Sequence, residues 1–96
     1  MTLAPPGAAR AFDPDLPARL HPLVALRDES FGALAYHYGE RRLVFLKTPA
    51  LVAVLGDLER HESARSAVAA HVAADEVDGY LAALARLFDS GVLDGR

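Results

Sequence analysis

Between Ala33 and Tyr38 the side chains alternate, Leu34, Tyr36 and Tyr38 against Ala33, Ala35 and His37. A period of two puts the two sets on opposite faces of a strand. The run from Arg42 to Lys47, Arg-Leu-Val-Phe-Leu-Lys, is apolar with basic ends and reads as a second strand of the same hairpin. Gly39 between them is expected to supply the positive φ of a two-residue II′ turn. Upstream, the apolar run Leu23 to Leu26, followed by Arg27, Asp28 and Glu29, is long enough for a further strand.

After Lys47 the period changes. Thr48 and Pro49 announce a helix, a hydroxyl able to accept from the first free amides and a proline where its missing donor does no harm. Leu51, Val52, Val54, Leu55 and Leu58 recur at three- and four-residue spacing toward Arg60. His61 and Glu62 break the pattern, and Ser63 is expected to cap a second helix reaching about Val72. Asp75, with Asp78 three residues on, is expected to cap a third. Its stripe is Val77, Tyr80, Leu81, Leu84, Leu87 and Phe88, and Gly91 would stop it. Strands followed by helices predict an α+β domain, winged-helix-like, with a three-stranded antiparallel sheet followed by three helices.

Ninety-six residues with 52% hydrophobic content suffice for one modest core. Pro5, Pro6, Pro14 and Pro17 punctuate an Ala-rich start, so residues 1–20 read as an N-terminal arm and 21–96 as the domain. No stretch approaches the ~20 apolar residues of a membrane span, and the protein is expected to be cytoplasmic. The absence of cysteine excludes disulfides, thiolate metal sites and a cysteine nucleophile.

Chemistry is hard to find. His21, His37, His61 and His71 form no three- or four-residue pair on one predicted element, the serines lack a nucleophile elbow, and no phosphate-cradling glycine motif follows a strand. No catalytic residue, cofactor or metal is expected. A winged-helix DNA-binding regulator is the rival reading, but the last helix carries Asp75, Glu76, Asp78 and Asp89 against Arg86 alone, and phosphates would repel it. Neither nucleic acid nor membrane is an expected partner.

The third strand ends the meander and so is expected at a sheet edge, where unpaired backbone groups can receive an extended peptide. Arg41, Arg42 and Lys47 could equally be charges that discourage edge pairing, and a copy of the same chain could pair there to make a homodimer. Five or six ladder bonds of ~0.5 to 1.5 kcal/mol each do not comfortably overcome association entropy, so apolar pockets must contribute.

Phe31-Gly32-Ala33-Leu34-Ala35-Tyr36-His37-Tyr38-Gly39, followed by Arg41-Arg42-Leu43-Val44-Phe45-Leu46-Lys47, resembles the mycofactocin biosynthesis chaperones. These are similar to the pyrroloquinoline quinone peptide chaperone, within the leader-recognition domains of ribosomally made, modified peptides. The resemblance covers roughly Pro22 to Leu93. It implies a non-enzymatic protein that binds the acidic leader of a precursor peptide and presents its C-terminal core to a radical S-adenosylmethionine maturase. It further implies that the leader adds beside the third strand and against the last helix. On this chain the expected peptide-binding residues are Arg41, Arg42, Leu43, Val44, Phe45, Leu46 and Lys47, with Tyr80, Leu81, Leu84, Arg86 and Phe88 opposite.

Overall fold

The computed structural model describes residues 12–95. Strand β1 (Ala18–Leu20) is followed by β2 (Val24–Glu29), β3 (Gly32–His37) and β4 (Arg42–Leu46). Helix α1 (Pro49–Asp57) continues into a 3-10 turn, Leu58–Arg60, and precedes α2 (Ala64–Ala69). A second 3-10 turn, Ala74–Glu76, leads into α3 (Val77–Asp89), and β5 (Leu93–Gly95) closes the described chain. The α+β expectation holds, with the three-stranded antiparallel sheet in the order β2-β3-β4.

The sheet face that meets the helices is built of small side chains. Ala33 and Ala35 of β3 are buried, flanked by Leu26 and Val44 and by Leu46 of β4. The lack of bulk there lets Val54 and Leu55 of α1 and Leu58 reach the sheet, with Ala64, Ala67 and Val68 of α2 and Leu81, Leu84 and Leu87 of α3 completing one core. At Gly32 (φ 145°) a Cβ would overlap the Leu46 carbonyl, so only glycine fits between the two strands. His37 is buried and its Nδ1 accepts from the Glu40 amide at 3.1 Å, fixing the β3–β4 turn. The motif around Phe31–Gly39 is thus a packing and turn device.

That turn differs from expectation. It spans residues 38–41, since His37 pairs with Arg42, and the positive φ belongs to Arg41 (54°) instead of Gly39. A Cβ at Gly39 would come within 2.9 Å of the Leu23 side chain, so glycine is there for space. Strand β2 also continues through Arg27, Asp28 and Glu29.

The helix ends follow local chemistry unevenly. Ser63 caps α2 as expected, its side chain accepting from the Ser66 amide at 3.0 Å. The preceding free amides, Ala64 and Arg65, donate to the carbonyls of Leu16 and Pro14 at 3.1 and 2.8 Å. Thr48 stands at the N-cap of α1, yet its hydroxyl makes no capping bond. Asp75 does not cap α3 either, because a 3-10 turn started from Ala73 occupies that position and supplies the entry. Gly91 (φ 87°) ends α3 in a Schellman motif, with Val92 N–H on the Leu87 carbonyl and Gly91 N–H on that of Phe88.

The arm is part of the domain from residue 12 onward. Ala18–Leu20 pair antiparallel with Leu93–Gly95, Ala18 is buried, and Phe12 packs on Phe88 with ring centroids 5.7 Å apart. The remainder of the expected arm, residues 1–11, lies outside the described residues.

Candidate functional site

β4 is the edge of the meander: β3 lies on one side, and among the described residues no strand lies on the other. The chain's own β1 pairs with β5 and leaves that edge open. Arg42 at the start of β4 donates to the Ser90 carbonyl at 2.8 Å, and Thr48 just after β4 lines a cavity together with Glu76 and Tyr80. The C-terminal end of α3 therefore stands beside the start of β4 and its N-terminal end beside the end of β4. The span between these two contacts, from Arg42–Ser90 to the cavity beside Thr48 and Tyr80, is the candidate groove.

The cavity at the α3 N-terminal end measures about 400 Å³ and is lined by Thr48, Leu51, Asp75, Glu76, Gly79, Tyr80 and Ala83. Gly79 and Ala83 lie one turn apart, and at Gly79 a Cβ would meet nothing within 4 Å. Arg86 and Ser90 continue that row toward the strand's beginning. Charge divides along α3: Asp75 and Glu76 line the cavity at its start, while Arg86 lies one turn before Ser90, whose carbonyl Arg42 reaches. Arg42 also pairs with Glu40 at 3.1 Å.

The expected site residues separate into three groups. Arg41, Arg42, Tyr80 and Arg86 keep exposed or half-buried surface, and Val44 sits on the helix-facing side of β4. Leu43, Phe45 and Lys47 are exposed on the opposite face of the sheet, away from α3. Leu46, Leu81 and Leu84 belong to the core, and Phe88 packs against Phe12, so these four side chains hold the groove's walls instead of lining it. Thr48, Leu51, Gly79 and Ala83, which line the cavity, are not among the expected residues. A glycine inside a helix costs about 0.5–1 kcal/mol relative to alanine, and Gly79 was the signal available in the sequence.

The histidines are tied into the fold. His61 Nε2 and His71 Nε2 both meet Asp57 Oδ2, at 2.7 and 2.9 Å, and His61 Nδ1 is 3.2 Å from Ser66 Oγ. Hydrogen bonds from His71 and then His61 hold the Asp57 carboxyl below the usual carboxylate range. Through these contacts the cluster joins the end of α1 to α2. None of its members lines the groove. His21 and His37 lie against each other in a tilted pair with centroids 4.6 Å apart. Among the described residues no three histidine or acidic side chains are grouped to hold a metal ion, and no helix is long and apolar enough to cross a membrane.

Comparison with known proteins agrees in one direction. The peptide chaperone MftB of Mycolicibacterium smegmatis is 52% identical over 83 residues, covering 85% of this chain and 81% of that protein. The peptide chaperone MftB of Mycobacterium ulcerans is 50% identical over 86 residues, covering 88% and 79%. That of Mycobacterium tuberculosis is 47% identical over 95 residues, covering 94% and 87%. No solved structure matches. The model of the peptide chaperone MftB family matches residues 17–94, from the residue before β1 into β5, and the chain belongs to that family.

Proposed function

We propose that this protein binds the leader of the mycofactocin precursor peptide as an added strand beside β4 and holds it for a radical S-adenosylmethionine maturase, with no catalysis of its own. The observation that carries the reading is the unpartnered β4 edge, tied at its start to the end of α3 by Arg42 and followed at Thr48 by a cavity of about 400 Å³. The arrangement is winged-helix-like, with the β3–β4 hairpin as the wing, and the protein acts in the cytoplasm. Backbone groups of β4 supply the ladder, and the cavity between Leu51, Gly79, Tyr80 and Ala83 takes an apolar side chain of the guest.

Charge sets direction. An acidic stretch of the leader lies toward Arg42 and Arg86, and a neutral or basic stretch passes Asp75 and Glu76. These groups are exposed and screened by salt, so they contribute mainly orientation and encounter rate. Calorimetry of the full chain against a synthetic leader is the direct test: saturable binding is expected, and no heat at tens of micromolar would refute the assignment. Alternate amides of β4 face β3 and the open edge. Of Val44→Pro and Phe45→Pro, one therefore breaks the meander while the other keeps the fold and weakens the leader threefold to tenfold, about one ladder bond.

A further inference from the structure

Among the described residues no element packs on the side of the meander turned away from the helices, and its middle is apolar. Among the described residues Leu23, Phe31, Tyr38, Leu43 and Phe45 are 47, 39, 61, 49 and 57% exposed, and the Phe31 ring lies tilted against that of Phe45 at a centroid distance of 5.9 Å. With an aromatic side chain presenting ~150–250 Å² in full, these five expose on the order of 500 Å². That is near the top of the ~300–600 Å² expected for the largest patch on a monomer.

The registers give this face a definite layout. Arg27, Leu34 and Phe45 share one rung across β2, β3 and β4, and Ala25, Tyr36 and Leu43 share the next. Glu29 pairs with Gly32, and Lys47 lies beside Gly32, so these ends form a third rung, acidic on β2 and basic on β4. We infer that this face is the contact surface of a homodimer in which the sheets stack about a two-fold axis parallel to the strands. Such an axis lays β2 of one protomer over β4 of its partner at the same height.

In that pairing Glu29 meets Lys47 of the other copy at both ends of the contact, and Arg27 lies over the Phe45 ring. Leu34 and Tyr36 meet their own copies on the axis. A two-fold axis across the strands would instead bring Lys47 toward Arg41, so charge chooses the first arrangement. Glu29 already accepts from Arg27 at 2.8 Å through one carboxylate oxygen, which leaves the other to receive the lysine. Lys47 makes no ion pair among the described residues and is the sole lysine of the sequence. With its polar rim the face approaches the ~800 Å² per partner of a specific interface, at the small end where association is concentration-dependent.

Sedimentation equilibrium of the full chain from ~10 μM to ~1 mM is the first measurement, and a reversible monomer–dimer equilibrium is the expected result. Carbodiimide cross-linking of a mixture of ¹⁴N and ¹⁵N protein should then give an interchain Glu29–Lys47 bond, a reading only this axis permits. Phe45→Gln should raise the dimer dissociation constant at least tenfold while circular dichroism stays unchanged. Lys47→Glu should weaken the dimer likewise, and adding Glu29→Lys should restore it. A strictly monomeric protein at ~1 mM would overturn the inference. So would a dimer that ignores Phe45→Gln, since that locates the contact at the β4 edge, or a face protected from hydrogen exchange only when a different protein is added.

Discussion

Gly79 offers the sharpest test of where a guest would lie, because the helix and the groove want opposite things from it. An interior glycine weakens a helix by about 0.5–1 kcal/mol relative to alanine, and a Cβ at Gly79 meets nothing within 4 Å. Gly79→Ala should therefore stabilise the fold by that amount, raising the melting temperature by ~2–8 °C for a domain of this size. Gly56 in α1 is the matched control: a Cβ there also meets nothing, and it lies outside the cavity lining. Both alanine variants should be more stable by calorimetry and urea titration. Only changes at Gly79 should touch peptide binding, and Gly79→Leu, which puts a branched side chain into the cavity lining, should weaken the leader at least tenfold, about 1.4 kcal/mol. Should Gly79→Leu fold normally and bind the leader with unchanged affinity, the guest does not pass between Thr48 and Tyr80.

Other variants separate groove from scaffold. Leu84→Ala deletes a fully buried side chain and should cost ~2–5 kcal/mol in denaturant unfolding, with peptide affinity recovered wherever the protein is still folded. Ser63→Ala removes the only side-chain N-cap seen on a described helix and should cost ~1 kcal/mol, read by the same titration. Asp57 has its carboxyl pKa lowered in the folded state, so its contribution is complete above the ordinary carboxylate range and disappears as pH falls through the lowered value. Asp57→Asn should accordingly flatten the acid limb of stability below the ordinary carboxylate range, and an unchanged limb would show that the His71 and His61 contacts carry no linkage.

What the sequence disclosed, and what it hid, divides along local and distant causes. Strand alternation in Ala33 to Tyr38, the Ser63 cap and the Gly91 stop depend on neighbours a few residues away, and each appears in the fold where the pattern put it. The pairing of Ala18–Leu20 with Leu93–Gly95 joins the two ends of the chain. Three-residue strands carry no readable period, so proline content is the one local cue in that segment, and it says nothing of a partner at the far end of the chain. The wide stripe on the last helix was visible, but its division was not. Leu81, Leu84 and Leu87 face the core, Phe88 meets Phe12, and the groove takes the flank of Gly79, Tyr80 and Ala83. A hydropathy pattern shows how much of a helix is buried; it does not show which neighbour buries it.

The two surfaces built on β4 are orthogonal, and that makes them interdependent. Ladder bonds run in the plane of the sheet, whereas Leu43, Phe45 and Lys47 project perpendicular to it. A strand added at the edge consequently leaves the outer face open and extends it by one row, since every second guest residue projects beside Leu43 and Phe45. A leader with apolar residues at those positions would enlarge the stacking face, and one with acidic residues there would crowd the row that Glu29 of the partner must approach. By linkage, whatever factor the guest applies to self-association, self-association applies to the guest. Sedimentation with and without saturating leader should thus show a dimer constant that moves, its direction set by the charge of alternate leader residues. If it stays fixed while Phe45→Gln still abolishes the dimer, the guest does not enter as a strand flush with β4.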